Sequence, residues 1–189
     1  LLLVGLGNPG SNYTNTRHNI GFKIIDAINL HFKLSKQKPK FKGLLTTGNI
    51  ESKKIYAIKP LTFMNNSGTA IKELIDYFKI DAKDVFVFHD DMDIDFGKIK
   101  AKFGGSSAGH NGIDSIDKFI GKDYSRVRVG IGHPKQKKKV NNHVLEDFKE
   151  DEEEKIKEIT ENIVKLIPTL IDKKIDLFSS KVNQNLNGI

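Results

Sequence analysis

Apolar positions along this chain fall into two rhythms. The opening run Leu1–Leu6 is almost continuously apolar and ends in glycines, the pattern of a buried central strand. From Ile20 onward Ile24, Ile25, Ile28 and Phe32 recur at helical spacing and predict a first helix over 20–33. A basic loop, KQKPKFK, separates it from two strands near 43–50 and 54–59, with a turn at Glu51-Ser52 and Pro60 as the stop. Ser67 is placed to cap a second helix whose core face is Ile71, Leu74, Ile75 and Phe78. Val85–Phe88 reads as a short buried strand running into the polar HDDMDID. Strict alternation from Lys98 to Phe103 predicts a strand, with Ile99, Ala101 and Phe103 turned to the core. A helix near 112–120 and a strand over 126–131 follow. The acidic run Glu150–Glu154 suits a helix start, and Ile156, Ile159, Ile163, Val164, Ile167 and Leu170 share one face of a long helix. A short helix at 175–182 closes the pattern. Strands alternating with helices predict an α/β fold: a single globular domain over 1–189, with a mixed, mostly parallel twisted sheet surrounded by helices.

Composition narrows the chemistry. The 189 residues suffice for one core, and 0 Cys excludes disulfides, zinc–thiolate sites and a cysteine nucleophile. No apolar run reaches the roughly 20 residues of a membrane span, and LLLVGLG has no basic segment to make it a signal peptide, so the cytoplasm is expected. Net charge is +7 and the pI about 9.4. That excess suits a polyanionic partner and equally suits a lysine-rich solvated surface.

Three motifs suggest chemistry that their surroundings do not support. Gly5-Leu6-Gly7-Asn8-Pro9-Gly10 matches the dinucleotide fingerprint G-x-G-x-x-G, but its helix begins some ten residues late and position 30 is Leu, not an acid. Gly105-Ser106-Ser107-Ala108-Gly109 matches G-x-S-x-G, yet a nucleophile elbow follows a buried apolar strand, and this one carries Lys98, Lys100 and Lys102. His89-Asp90-Asp91-Met92-Asp93 has metal-ligand residue types at a spacing that fits no named motif, so no metal or cofactor is expected.

Three polar clusters lie just after predicted strands or in adjoining loops: Asn8 with Thr16–Asn19; Thr62–Asn65; and His89–Asp91 with Gly109–Gly112. Loops at the carboxyl ends of strands in such sheets converge on one crevice. Convergence would bring one His, one Asp and three Asn face to face. An ordinary imidazole titrates near neutrality and can take a proton from water. A carboxylate on its other nitrogen fixes the tautomer. Neutral amides can donate to an ester carbonyl and accept from a substrate amide.

GLGNPG, TRHNIGF, KPLTFMNNSG, HDDMD, GGSSAGHNG and RVRVGIGHP, in this order and spacing, resemble the bacterial peptidyl-tRNA hydrolase family from the first strand to about Pro134. The resemblance implies cleavage of the ester between a peptide's C-terminus and the 3′-terminal ribose of tRNA, by a monomer needing no metal. It implies His18 as general base, Asp90 as its orienting acid, and Asn8, Asn65 and Asn111 as the groups that position peptide and water. Tyr13, Phe63, Met64 and His110 match further site-lining positions. Lys102 and Arg128 match positions that hold the 5′-phosphate of the acceptor stem. Lys98, Lys100 and Lys102 project about 6.6 Å apart on one strand face. Such a stripe can track phosphates or guard an edge strand against aggregation. Lys135, Lys137, Lys138 and Lys139 form a second cluster, from which Lys137 is taken as a tRNA contact. With aromatics at 8%, backbone and end recognition is expected over base stacking.

Overall fold

The computed structural model describes residues 1–134 and 140–187. Its strands are β1 (Leu2–Gly5), β2 (Lys38–Lys40), β3 (Gly43–Ile50), β4 (Lys53–Pro60), β5 (Val85–Asp91), β6 (Ile99–Phe103) and β7 (Ser125–Gly130). Its helices are α1 (Ile20–His31), α2 (Ser67–Phe78), α3 (Asn111–Ile120), α4 (Val140–His143), α5 (Glu150–Lys165), α6 (Ile167–Ile171) and α7 (Ile175–Asn187). The strands form one sheet in the order β2-β3-β4-β1-β5-β7-β6. It is parallel through β4, β1, β5 and β7, and antiparallel at both edges. This is the mixed α/β sheet that the alternating elements predict.

Period-two alternation divides the core. Phe86 and Phe88 of β5 pack with α1, α5, α6 and α7 on one face, while Val85 and Val87 pack with α2 and α3 on the other. The two layers fit closely. Gly5 and Gly21 face each other where α1 crosses β1, and a Cβ on either would collide with the opposite backbone. This contact sets α1, and the 3-10 turn Arg17–Asn19 before it, directly over the sheet.

Several elements depart from the pattern-based expectation, each for a physical reason. Lys38–Lys40 is an edge strand where a loop was expected. All three residues are exposed, so no alternating burial marks it. β5 continues through Asp90 and Asp91, which pair with Val129 and Gly130 although their charge reads as a strand end. Ser67 is not the cap of α2. Asn66 precedes the helix, and the Ser67 hydroxyl donates to the Met64 carbonyl. The long acidic helix breaks between α5 and α6, where Pro168 has no N–H to continue it. Phe103 does not face the core but is 49% exposed. The chain spends Ser11–Tyr13 and Arg17–Asn19 in 3-10 turns before α1, so the Gly5–Gly10 loop feeds no helix N-terminus. No helix among the described residues is long and apolar enough to cross a membrane.

Candidate functional site

The four parallel strands deliver their following loops to one end of the sheet, as such topologies do. There a cleft of about 310 Å³ opens. It is lined by Asn8, His18, Phe63, Met64, Asn65, His89, Asp90, His110 and Asn111, with Met92, Ala108, Val144 and Leu145 as apolar wall. The three polar clusters therefore meet. Tyr13 does not line the cleft; its carbonyl accepts from the amide and hydroxyl of Thr16.

Asp90 organises the centre. It is 1% exposed, and its Oδ1 lies 2.8 Å from His18 Nδ1 and 3.0 Å from His110 Nε2. His110 also caps α3: its Nδ1 accepts from the amides of Gly112 and Ile113. A nitrogen accepting two amides carries no proton, so the proton of neutral His110 is on Nε2 and is donated to Asp90. His18 likewise donates through Nδ1 to the carboxylate. Its Nε2 then has a free lone pair, with no partner among the described residues. Burial pushes the Asp90 carboxyl up, but the charge and hydrogen bonds of His18 and His110 outweigh it and hold the group well below the usual carboxylate range.

The amides differ in how firmly they are held. Asn8 is buried, and Asn19 grips its peptide from both sides: the Asn8 amide donates to Asn19 Oδ1 at 2.8 Å, and Asn19 Nδ2 donates to the Asn8 carbonyl at 2.9 Å. The Asn8 side-chain oxygen accepts from the Met64 amide at 2.8 Å, which leaves its NH₂ for the cleft. Asn65 and Asn111 line the same cleft with exposed side chains.

Ser107 also lines the cleft, but its hydroxyl accepts from the Gly109 amide, and no histidine bonds it among the described residues. That is not a nucleophile elbow. The candidate metal run does not converge either, since Asp91 pairs with Arg128 and Asp93 with His133. His18, Asp90 and His110 do bring ligand atoms within 4.8 Å of one another. However, a metal on His110 Nε2 would move the ring proton to Nδ1, against the Gly112 and Ile113 amides. The donor set fits a hydrogen-bonded triad better than an ion.

The cationic row lies on the α3 face. Lys100 pairs with Arg128 and Lys102 with Arg126 across β6–β7, so all four side chains share that face. Lys98 falls just before β6. Arg126 is buried and committed to the Ser106 carbonyl and Asp117, which pins the glycine loop. Lys100 is exposed, while Lys102 and Arg128 are half-buried. Partial burial, then the neighbouring Arg128 and Arg126, lower the Lys102 ammonium from its usual value. β6 is an edge strand, yet its outward Ile99 and Ala101 amides donate to Asn183 Oδ1 and Ser179 Oγ of α7. The edge is covered, so lysines are not needed to guard it. Lys135, Lys137, Lys138 and Lys139 lie outside the described residues.

Sequence reasoning gave no role to Asn19, although it stands in the quoted TRHN run. It named His89 only within the polar run His89–Asp91 and gave it no role of its own, and it passed over the Val144–Leu145 wall. His89 donates through Nδ1 to the Asp90 carbonyl at 2.7 Å, and its Nε2 is buried without a partner. Burial, then the nearby His110, hold it well below the ordinary histidine value.

The peptidyl-tRNA hydrolase family model matches residues 2–188. A peptidyl-tRNA hydrolase of Pelagibacter ubique is 72% identical over 183 residues, covering 97% of this chain and 98% of that protein. One from Ehrlichia ruminantium is 46% identical, covering 96% and 93%. The crystal structure of peptidyl-tRNA hydrolase from Acinetobacter baumannii superposes with a TM-score of 0.90 at 34% identity, covering 96% of this chain and 93% of that one.

Proposed function

The chain belongs to the peptidyl-tRNA hydrolase family, its reaction is the hydrolysis of peptidyl-tRNA, and from that premise we propose that His18 performs it by activating water. One observation carries the reading. His18 is bound at Nδ1 by the buried Asp90 carboxylate, and its Nε2 is left without a partner in a cleft lined by three asparagines.

Nε2 takes a proton from water as the oxygen attacks the ester carbonyl. Asp90 stabilises the imidazolium that forms. The Asn8 NH₂ donates to the developing oxyanion, since its own oxygen is already engaged by Met64. Asn65 and Asn111, with amides unconstrained at the rim, hold the water and the substrate's last peptide group. Collapse of the tetrahedral intermediate breaks the bond to the ribose 3′-oxygen, which regains the proton from His18. Free tRNA and the peptide acid leave, and the acid gives its proton to solvent. Phe63 and Met64 supply an apolar wall for the peptide. Tyr13 supports the turn before His18 and acts at a distance from the substrate.

Lys100, Lys102 and Arg128 take the acceptor-stem phosphates, a reading supported by their shared face and the covered edge beside them. Lys137, outside the described residues, is kept as a further tRNA contact on its charge and the family resemblance. Residues 1–189 act as one catalytic domain, as a monomer in the cytoplasm, without metal or cofactor. The assay is release of N-acetylated amino acid from tRNA, with free aminoacyl-tRNA as control and EDTA in a parallel arm. Only the acylated substrate is turned over, and chelation leaves the rate unchanged. Equal turnover of both would remove the asparagines' role in reading an amide, and a chelator-sensitive rate would return the centre to metal chemistry.

A further inference from the structure

We infer that Arg17 is a positioning residue that fixes the Val144–Leu145 wall of the cleft and thereby sets how tightly the peptide half of the substrate is held. This rests on the reading above that the cleft takes a peptidyl ester.

The cleft straddles the end of the sheet. The cationic row lies on the α2–α3 face. Val144 and Met92 pack against the opposite core, under α1 and α5. A substrate with an anionic and a peptide half has one side of the sheet for each. Leu145 is 46% exposed at this cleft, a large apolar side chain left uncovered where a peptide would lie.

That wall belongs to no helix or sheet strand of its own. Residues 144–148 run antiparallel to residues 15–18. The His18 amide donates to the Val144 carbonyl at 2.8 Å, the Arg17 amide to Glu146 at 3.1 Å, and the Phe148 amide to Asn15 at 3.2 Å. Thr16 and Asp147 form the bridge between them. Backbone pairing this short does not hold itself, and the Arg17 side chain completes it. Its side chain is 4% exposed. Nη1 donates to the carbonyls of Glu146 and Asp147, at 3.2 and 3.0 Å. Nη2 donates to Glu152 Oε2 at 2.7 Å, and the group lies over the Phe148 ring. Glu152 also accepts from the Lys149 amide at the start of α5. One buried cation therefore ties three things together: the turn bearing the base, the wall, and the first turn of α5. Charge-assisted bonds of this kind are the strong ones, and here they terminate on backbone carbonyls whose position defines the wall.

The His18 ring has its own anchor in Asp90, so loosening the wall weakens the hold on the peptide more than the chemistry. The test uses the full chain, with Arg17→Gln, Arg17→Lys and Glu152→Gln. Glu152→Gln keeps an acceptor for the Lys149 amide and so spares the start of α5. Substrates are N-acetyl-aminoacyl-tRNA and a tRNA carrying an apolar N-acetyl tetrapeptide with the same C-terminal residue. For the tetrapeptide, Arg17→Gln and Glu152→Gln raise KM by about tenfold while kcat stays within about threefold. For the single residue KM changes by less than about twofold. Arg17→Lys, which keeps the charge but not the fork, falls between. The pH–rate profile keeps its shape. Amide exchange at Arg17, His18 and Phe148 speeds up while β5 stays protected. Equal KM changes for both substrates, a loss confined to kcat, or faster exchange throughout the sheet would each overturn the inference. A wild-type chain inactive on both substrates would instead sink the reading on which it rests.

Discussion

The centre around Asp90, at the end of β5, and the cationic row, which runs along β6–β7 of the same sheet, are built on opposite principles. Asp90 is 1% exposed and reaches its partners through short, fixed bonds between side chains. Lys100 is exposed, and Lys102 and Arg128 are only half-buried. In the first region the carboxylate and its bonds are shielded from bulk water, geometry is fixed and salt has little access. In the second the charges act through solvent, and ions compete for them. A buried centre suits a reaction in which one proton moves between defined atoms. An exposed row suits a long, hydrated polyanion that must arrive and leave.

The largest expected effect tests this division at the centre. His18→Ala removes the proposed base, and kcat falls by about 10²–10⁴-fold, the span of general-base catalysis. The affinity for tRNA, measured by filter binding, stays at the wild-type value because the cationic row is untouched. Loss of binding together with turnover would mean that the two regions are not separable. Asp90→Asn comes next. It keeps the shape and one acceptor oxygen but not the charge that stabilises the imidazolium, so kcat falls about 10²-fold. A variant that kept full activity would reduce Asp90 to a scaffold.

The cationic row answers on a smaller scale and through a different variable. Lys102→Ala or Arg128→Ala weakens tRNA binding by roughly tenfold at low salt and leaves kcat nearly intact. Each lowers the slope of log affinity against log salt by about one. Arg128→Ala also frees Asp91, which is 8% exposed, so its loss includes a buried carboxylate without its partner. The deficit shrinks when the tRNA carries a 5′-hydroxyl in place of the 5′-phosphate. An equal deficit with both ends would move the clamp elsewhere on the acceptor stem.

The two regions were also unequally legible in the sequence. The core rhythm of β1, α1 and α2 marks itself, because apolar residues at fixed periods have few alternative uses. β5 shows where that legibility stops. Its burial continues through His89, Asp90 and Asp91, and the hydrophobic signal ends just where the polar centre begins. The residues that hold the centre are polar and far apart in the chain, so periodicity does not find them. Resemblance to a family does, and only for positions that the family's motifs cover. Asn19 and Arg17 illustrate the limit. Both sit beside His18 in TRHN, yet their roles depend on partners 11 and about 130 positions away. The lysine stripe was legible as a face but not as a function. The α7 side chains that occupy the β6 amides count against edge protection, and no periodicity announces them. β2, short and wholly exposed, had no pattern to read.

The smallest effect sharpens the comparison through pH. His89 lies within the buried region, donates to the Asp90 carbonyl, and is held well below the ordinary histidine value by burial and then by His110. The unfolded chain binds a proton there as pH falls through about 6.5, while the folded chain does not. The unfolded state thus holds the extra proton, and the contribution of His89 to stability falls as the solution is acidified from 7 toward 5. His89→Phe removes this group and also its bare buried nitrogen, which costs about 1–3 kcal/mol if nothing satisfies it. The variant's loss of stability with acid is shallower by up to about one proton's worth of slope, measured as urea midpoints between pH 7 and pH 5. Lys100→Ala, at an exposed position outside the buried centre, is the control and leaves that slope unchanged. If the two substitutions gave the same slope, the acid sensitivity would lie outside the buried centre, and the division between a buried region whose protonation is coupled to folding and an exposed one would fail at its most sensitive point.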